Sequence, residues 1–302
     1  MVSLEAAHRV RRRTGLRLGL RLGLGLLLGL GLDGGAAARP PDRIVSLNLC
    51  TDQILLDLVP RERIAGLSEL VADPTLSGRA DAARGIPLLR GHAEEVLARA
   101  PDVVIAGDTS TPATLDLLER LGVRVVRVPT AMDFDGVRAM IRAVAAAAGA
   151  EARGAAMVAR FDARLATLAP RTASGGPPPS VVVYQLNSLA SGAGTMLDAI
   201  VRAAGLRNAA HELPLGPAGR LPLETLALDA PDMIVVTALP DAYRTTTADN
   251  LRHPAFRALL ARRRSVMLPM PLWMCGTPDV LDAVERLVAA HRFPLALREG
   301  GR

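Results

Sequence analysis

From Asp42 onward, short runs of apolar residues alternate with stretches whose apolar positions recur at helical spacing. Ile44–Leu47 reads as a strand closed by Asn48, and Thr51–Leu58 as a helix capped by Thr51 or Asp52. Ile64–Leu67 is the next strand, Glu94–Arg99 a helix and Val103–Ala106 a buried strand. Ala113–Arg120 is a helix ended by Gly122, and Val123–Val128 the strand after it. Strands separated by helices of this length predict a parallel sheet covered on both faces.

No proline interrupts the chain between Phe134 and Leu168, where Val137, Met140, Ile141, Val144, Ala148, Val158, Phe161, Leu165 and Leu168 keep nearly helical spacing. One continuous helix here would be about 50 Å long. Gly149 and Gly154 are the positions at which it would divide in two. Pro170 and the Gly175–Pro179 run end it and form the clearest linker in the chain. The pattern then restarts. Ser180–Tyr184, Met233–Thr237 and Ser265–Leu268 read as strands, and Thr195–Ala204, Glu224–Leu228, Pro254–Ala261 and Thr277–Ala290 as helices. The expected fold class is α/β, with two lobes built on parallel sheets and joined by one long backbone helix. The expected segments are 1–38 as a leader, 39–133 as a first lobe, 134–169 as the linking helix and 170–302 as a second lobe.

The first forty residues have a different character. Arg9 and Arg11–Arg13 precede a Leu/Gly stretch from Leu16 to Leu32, and small residues follow through Ala38. That order is that of a secretory signal cleaved near Ala38, which implies a periplasmic destination. A basic interfacial helix that stays attached is the other reading. The uninterrupted apolar run, Leu22–Leu32, is too short to span a bilayer.

Charge and composition narrow the classes. The chain has 302 residues, half of them apolar, enough for a large core. All 36 basic residues are arginine, against 30 acids. Six of those arginines and two acids lie in residues 1–38, so the remaining body is nearly neutral. With one Trp, two Tyr and four Phe, that body is a poor surface for nucleic acid. Two cysteines exclude a disulfide scaffold and a thiolate zinc finger.

The two halves repeat each other. Glu94-Glu95-Val96-Leu97-Ala98-Arg99-Ala100-Pro101-Asp102 is echoed by Glu224-Thr225-Leu226-Ala227-Leu228-Asp229-Ala230-Pro231-Asp232, each followed by an apolar strand. This repeat, the opening Arg43-Ile44-Val45-Ser46-Leu47-Asn48, the central helix, His253-Pro254-Ala255-Phe256 and Trp273-Met274-Cys275-Gly276 together resemble the periplasmic substrate-binding proteins of ABC importers for cobalamin, ferric siderophores and haem. The resemblance covers residues 42–292. It implies two lobes on one rigid helix with the ligand in the cleft between them, and one exposed glutamate per lobe, Glu94 and Glu224, docking on an inner-membrane ABC permease. Glu95 is the substitute for Glu94. Taken alone, each acid is also explained as a favourable charge in a first helical turn.

Loops after the strands' carboxyl ends should line the cleft. These hold Asn48–Thr51, Ser68 and Glu69, Gly107–Thr109, then Gln185, Asn187 and Ser188, and Pro271–Cys275. The ligand-binding residues expected among and beside them are Asn48, Cys50, Ser68, Tyr184, Gln185, Asn187, Trp273 and Met274. Capping and turns are the better explanation for Thr51 and Thr109. Core packing competes for Tyr184, and a lid over the core for Trp273. Cys50 and Cys275 fall in one expected cleft loop each, which leaves a disulfide, two independent thiols or a ligand contact open.

His92, His211, His253 and His291 are scattered, so no bare metal site and no resident cofactor is expected. His211 alone is worth watching as a haem ligand. There is no Gly-x-Gly-x-x-Gly, no lysine for a phosphate loop and no Gly-x-Ser-x-Gly elbow, so no enzyme is expected. A cofactor-assembly or chelatase-like enzyme on a related bilobal fold is the rival class, and a surface adhesion or sensor module another. The ligand expected is cobalamin ahead of a ferric siderophore, with haem third, because no arginine sits firmly in a cleft loop; Arg220 and Arg244 are the candidates. The protein is expected to be monomeric.

Overall fold

The computed structural model describes residues 39–168, 177–238 and 249–292. The leader and Arg244 lie outside them, as does part of the Gly175–Pro179 linker. In the first half, β1 (Ile44–Ser46), β2 (Ile64–Ser68), β3 (Leu88–Leu89), β4 (Val103–Gly107) and β5 (Val125–Val128) form one parallel sheet in the order β3-β2-β1-β4-β5. Its crossovers carry α1 (Leu49–Leu58), α2 (Ala93–Leu97) and α3 (Pro112–Arg120). The fully buried strands explain why these segments read as unbroken apolar runs. The order reverses direction between β1 and β4, which opens a crevice at their carboxyl ends.

The proline-free stretch is two helices, which corrects the expected continuous rod. α4 (Phe134–Ala148) ends at Gly149, whose φ of +59° is left-handed, and α5 (Glu151–Leu168) turns back along it. Arg138 reaches Asp162 at 2.7 Å, and Phe134 meets Phe161 edge-to-face with centroids 5.8 Å apart. Period alone cannot distinguish a rod from such a hairpin; the glycine at the turn decides. Gly154 lets the two helices approach, since a Cβ there would lie 2.4 Å from Ala145 Cβ. Gly154→Ala is therefore expected to destabilise the fold by about 1–3 kcal/mol, despite alanine's better helix propensity. A higher urea midpoint in the variant would overturn this.

The second half holds β6 (Ser180–Tyr184), β7 (Leu189–Ser191), β8 (Arg207–Asn208), β9 (Ala218–Arg220), β10 (Met233–Val236) and β11 (Arg264–Met267). Its helices are α6 (Met196–Ala203), α7 (Leu223–Leu228), α8 (Asp249–Arg252), α9 (Pro254–Arg262) and α10 (Val280–Arg292). The sheet runs β11-β10-β6-β7-β9, with β8 beside the start of β6. It is mixed rather than parallel, because β7 pairs antiparallel with β6 and β9. The connection Gln185–Ser188 is too short for a crossover and turns the chain straight back.

The lobes are not held apart. One apolar core contains Ile44, Ile105 and Val137 of the first half, Met157 and Phe161 of α5, and Val183, Val235 and Val284 of the second. The outer faces of the two sheets have separate cores, around Val45, Val104 and Leu118 and around Tyr184, Ile234 and Phe256. Arg164 of α5 pairs with Glu285 of α10 at 2.9 Å. No helix among the described residues is long and apolar enough to cross a membrane.

Candidate functional site

The crevice at the carboxyl ends of the first sheet widens into a cavity of about 470 Å³ that is open to solvent. Asn48 after β1, Cys50 in the first turn of α1, Ser68 at the end of β2, Thr109 after β4 and Thr130 after β5 line it, and Met274 comes from the second half. Asn48 carries the geometry. Its Oδ1 accepts from Cys50 N–H at 2.9 Å and caps α1, in place of the expected Thr51 or Asp52. Its Nδ2 donates to Thr109 Oγ1 at 2.9 Å and so ties the loop after β1 to the loop after β4. Gly107 makes room, because a Cβ there would stand 2.5 Å from the Asn48 amide. Thr51 hydroxyl donates to Asn48 O, so its part is local.

Beneath this wall lies Asp52, fully buried in the first turns of α1. Its Oδ2 accepts from Ser68 N–H at 3.2 Å and from the Ser68 hydroxyl, while Oδ1 has no partner. Burial pushes its carboxyl up to about 8, and the hydrogen bonds from Ser68 pull only partly against that. Ser68, 8% exposed, is thus held from below by Asp52 and faces the cavity above.

Cys50 and Cys275 are joined in a disulfide across the two halves, 225 residues apart in sequence, with Cα atoms 5.0 Å apart. Of the three readings left open, neither independent thiols nor a free thiol facing a ligand describes this pair. Two further contacts hold the same seam. Arg79 places one fork on Asp57 of α1, at 2.8 and 2.9 Å, and another on Asp279 ahead of α10, at 2.9 and 3.1 Å. Gly276 packs so closely that a Cβ would lie 2.3 Å from Ala131 Cβ.

The other expected ligand residues sit elsewhere. Tyr184 is 0% exposed against Phe256, with ring centroids 5.1 Å apart, and does not line the cavity. It lies on a strand flanked on both sides, so its ring joins the core, which corrects the expected contact. Gln185 donates to Ser191 Oγ at 2.8 Å, and Asn187, in left-handed backbone, accepts from Arg220 at 2.7 Å. Both therefore shape the β6–β7 turn. Trp273 is half-buried on the shared core, and its indole N–H donates to Leu268 O at 3.3 Å. His211 stands 3.6 Å from Asp198. Among the described residues no three His, Cys, Asp or Glu side chains gather to hold a metal ion.

Arg90 was not expected here. It lines the cavity beside Leu89 and Gly91, with Glu69 at 3.8 Å. The strand that delivers it, β3, is two residues long and has no periodicity to detect. The left-handed Gly91, at φ +88°, is its one local signal. Glu94 and Glu224 are both exposed in the first turns of the short helices α2 and α7, and neither carboxylate has a partner among the described residues. Glu95, by contrast, accepts from Arg90 N–H at 2.8 Å.

Known proteins share this α/β arrangement. The profile of the family described as periplasmic binding protein matches residues 44–263. The chain belongs to that family. A cobalamin-binding protein of Halobacterium salinarum is 28% identical over 214 residues, 69% of this chain and 57% of that protein's length. The apo structure of the periplasmic haem-binding protein RhuT from Roseiflexus sp. RS-1 is 26% identical, covers 82% of this chain and 97% of its own, and superposes with a TM-score of 0.66. The vitamin B12-binding protein BtuF of Vibrio cholerae shares the fold at 20% identity and a TM-score of 0.64, over 84% of this chain and 98% of that one. The periplasmic binding proteins it resembles are named for binding rather than for catalysis.

Proposed function

We propose that this periplasmic binding protein is the exported solute-binding component of an ABC importer and takes cobalamin in the cavity above Asn48 and Ser68. The observation that carries the reading is the cavity itself, an open apolar wall with a few fixed polar groups at the switch point of a parallel sheet. Asn48, Cys50, Ser68 and Met274 form the wall the ligand meets. Gln185, Asn187 and Trp273 lie outside this cavity and would meet the ligand only where it extends beyond the wall toward the second half, and Tyr184, buried in the core, does not meet it. Arg90 removes the earlier ground for ranking anionic ferric siderophores second. Its pairing with Glu69 supplies another, since a near-neutral wall suits a ligand of low net charge. The cobalamin-binding relative supports the same order, and haem-binding structures keep haem as the second ligand to test. Glu94 and Glu224 dock on the permease.

The test is a titration of the purified protein with cyanocobalamin, haemin and a ferric hydroxamate, followed by Trp273 fluorescence and the ligand's absorbance. Saturable binding of cyanocobalamin is expected to be the tightest of the three. Binding of none of them would overturn the reading.

A further inference from the structure

We propose that the Cys50–Cys275 disulfide is a redox strap that preforms the ligand cavity, so that the oxidised protein holds its ligand tightly and the reduced protein lets it go. The inference rests on the cavity being the ligand site, as proposed above. Two features of the strap carry it. It is the only covalent tie among the described residues between the loop after β1 and the loop after β11. It is also part of the cavity, because Cys50 and Met274, the neighbour of Cys275, both line the wall. The bond therefore fixes how two lining segments from different halves lie against each other before any ligand arrives, and pre-ordering of this kind spares the ordering cost on binding.

The two sulfurs differ in access. Cys275 is 1% exposed, whereas Cys50 is half-buried and borders the open cavity. An external dithiol reaches the bond at Cys50, the more accessible sulfur, from the cavity it lines. Its thiolate attacks Cys50 Sγ; the Sγ–Sγ bond breaks, and the electron pair leaves on Cys275 Sγ, which takes up a proton. The second thiol of the reductant then displaces Cys50 Sγ, which is protonated in turn. The protein gains two thiols and the dithiol becomes a disulfide. A ligand seated against Cys50 blocks the first attack. By linkage, a ligand that favours the strapped form is itself favoured by the strap.

Reduction leaves the rest of the seam in place. Arg79 still bridges Asp57 and Asp279, and the rest of the shared core is untouched. What loosens is the segment Leu268–Thr277 with Met274. The reduced protein is thus expected to stay folded with a softened cavity.

The experiment compares the purified protein before and after treatment with dithiothreitol, with reduction followed by alkylation and intact mass. Without ligand, backbone hydrogen exchange in residues 268–277 is expected to quicken on reduction while the melt stays cooperative. With cyanocobalamin, the oxidised form is expected to bind about tenfold tighter than the reduced one, and saturating cyanocobalamin to slow reduction. The Cys50→Ala/Cys275→Ala variant should match the reduced protein; should it fail to fold, reduction in place decides alone. Two free thiols in the protein isolated without reductant, or unchanged exchange in 268–277, would overturn the strap. Equal affinities in the two redox states would overturn its effect on the ligand. If no probe binds in either state, the ligand reading and its redox coupling fall, while the exchange result still judges the strap.

Discussion

Replacing Glu94 and Glu224 together with alanine is expected to abolish ligand uptake by cells and to leave the affinity of the purified protein for its ligand unchanged. The two acids occupy equivalent places in the repeated helix–turn–strand units, one in each lobe. Both are exposed, and neither carboxylate is engaged among the described residues. Neither lines the cavity, so their removal should not touch the ligand. Exposed acids facing arginines on a partner steer encounter and fix orientation, and loss of a hydrogen-bonded charge partner costs about 2–5 kcal/mol where the pair is buried on docking. Two such losses exceed what a transient complex tolerates. Glu95→Ala is the control. Its carboxylate caps Arg90 N–H, so it should lower stability slightly and spare transport. Undiminished uptake by the double variant would refute the docking role.

Asp52→Asn should change how stability depends on pH. The folded protein keeps the Asp52 proton up to about pH 8, whereas an unfolded chain releases it near pH 4. Between those limits folding takes up a proton. Stability is therefore undiminished below about pH 4, falls as pH rises, and is fully reduced above about pH 8. Asparagine has the same shape and no charge to bury. The variant is expected to be more stable than the parent by about 2 kcal/mol or more at pH 8.5, with the difference vanishing toward pH 4. Melting temperatures across that range check it. Parallel curves for the two proteins would show that Asp52 is not the group responsible.

Much of the fold can be read from local pattern. β1, β4, β6 and β10 are visible as apolar runs, because a strand buried on both faces has no polar alternation to confuse it. The Ala-Pro-Asp repeat marked equivalent places in the two lobes for the same reason, since helix end, turn and strand start are encoded by adjacent residues. β3 was missed because two residues have no period, and with it went Arg90. The hairpin of α4 and α5 was indistinguishable from a rod, since both bury one stripe at the same spacing.

Sequence by itself determined the alternation of strands and helices, the two halves, the polar loops that face the crevice and the two uncommitted glutamates, all properties of residues near one another in the chain. Tertiary structure decided that Cys50 meets Cys275, that Arg79 grips Asp57 and Asp279 at once, that Tyr184 turns into the core and that Asp52 lies buried beneath Ser68. Each of these depends on how a segment is placed against another far along the chain. That placement is fixed by packing of the shared core, a collective property that no local window contains.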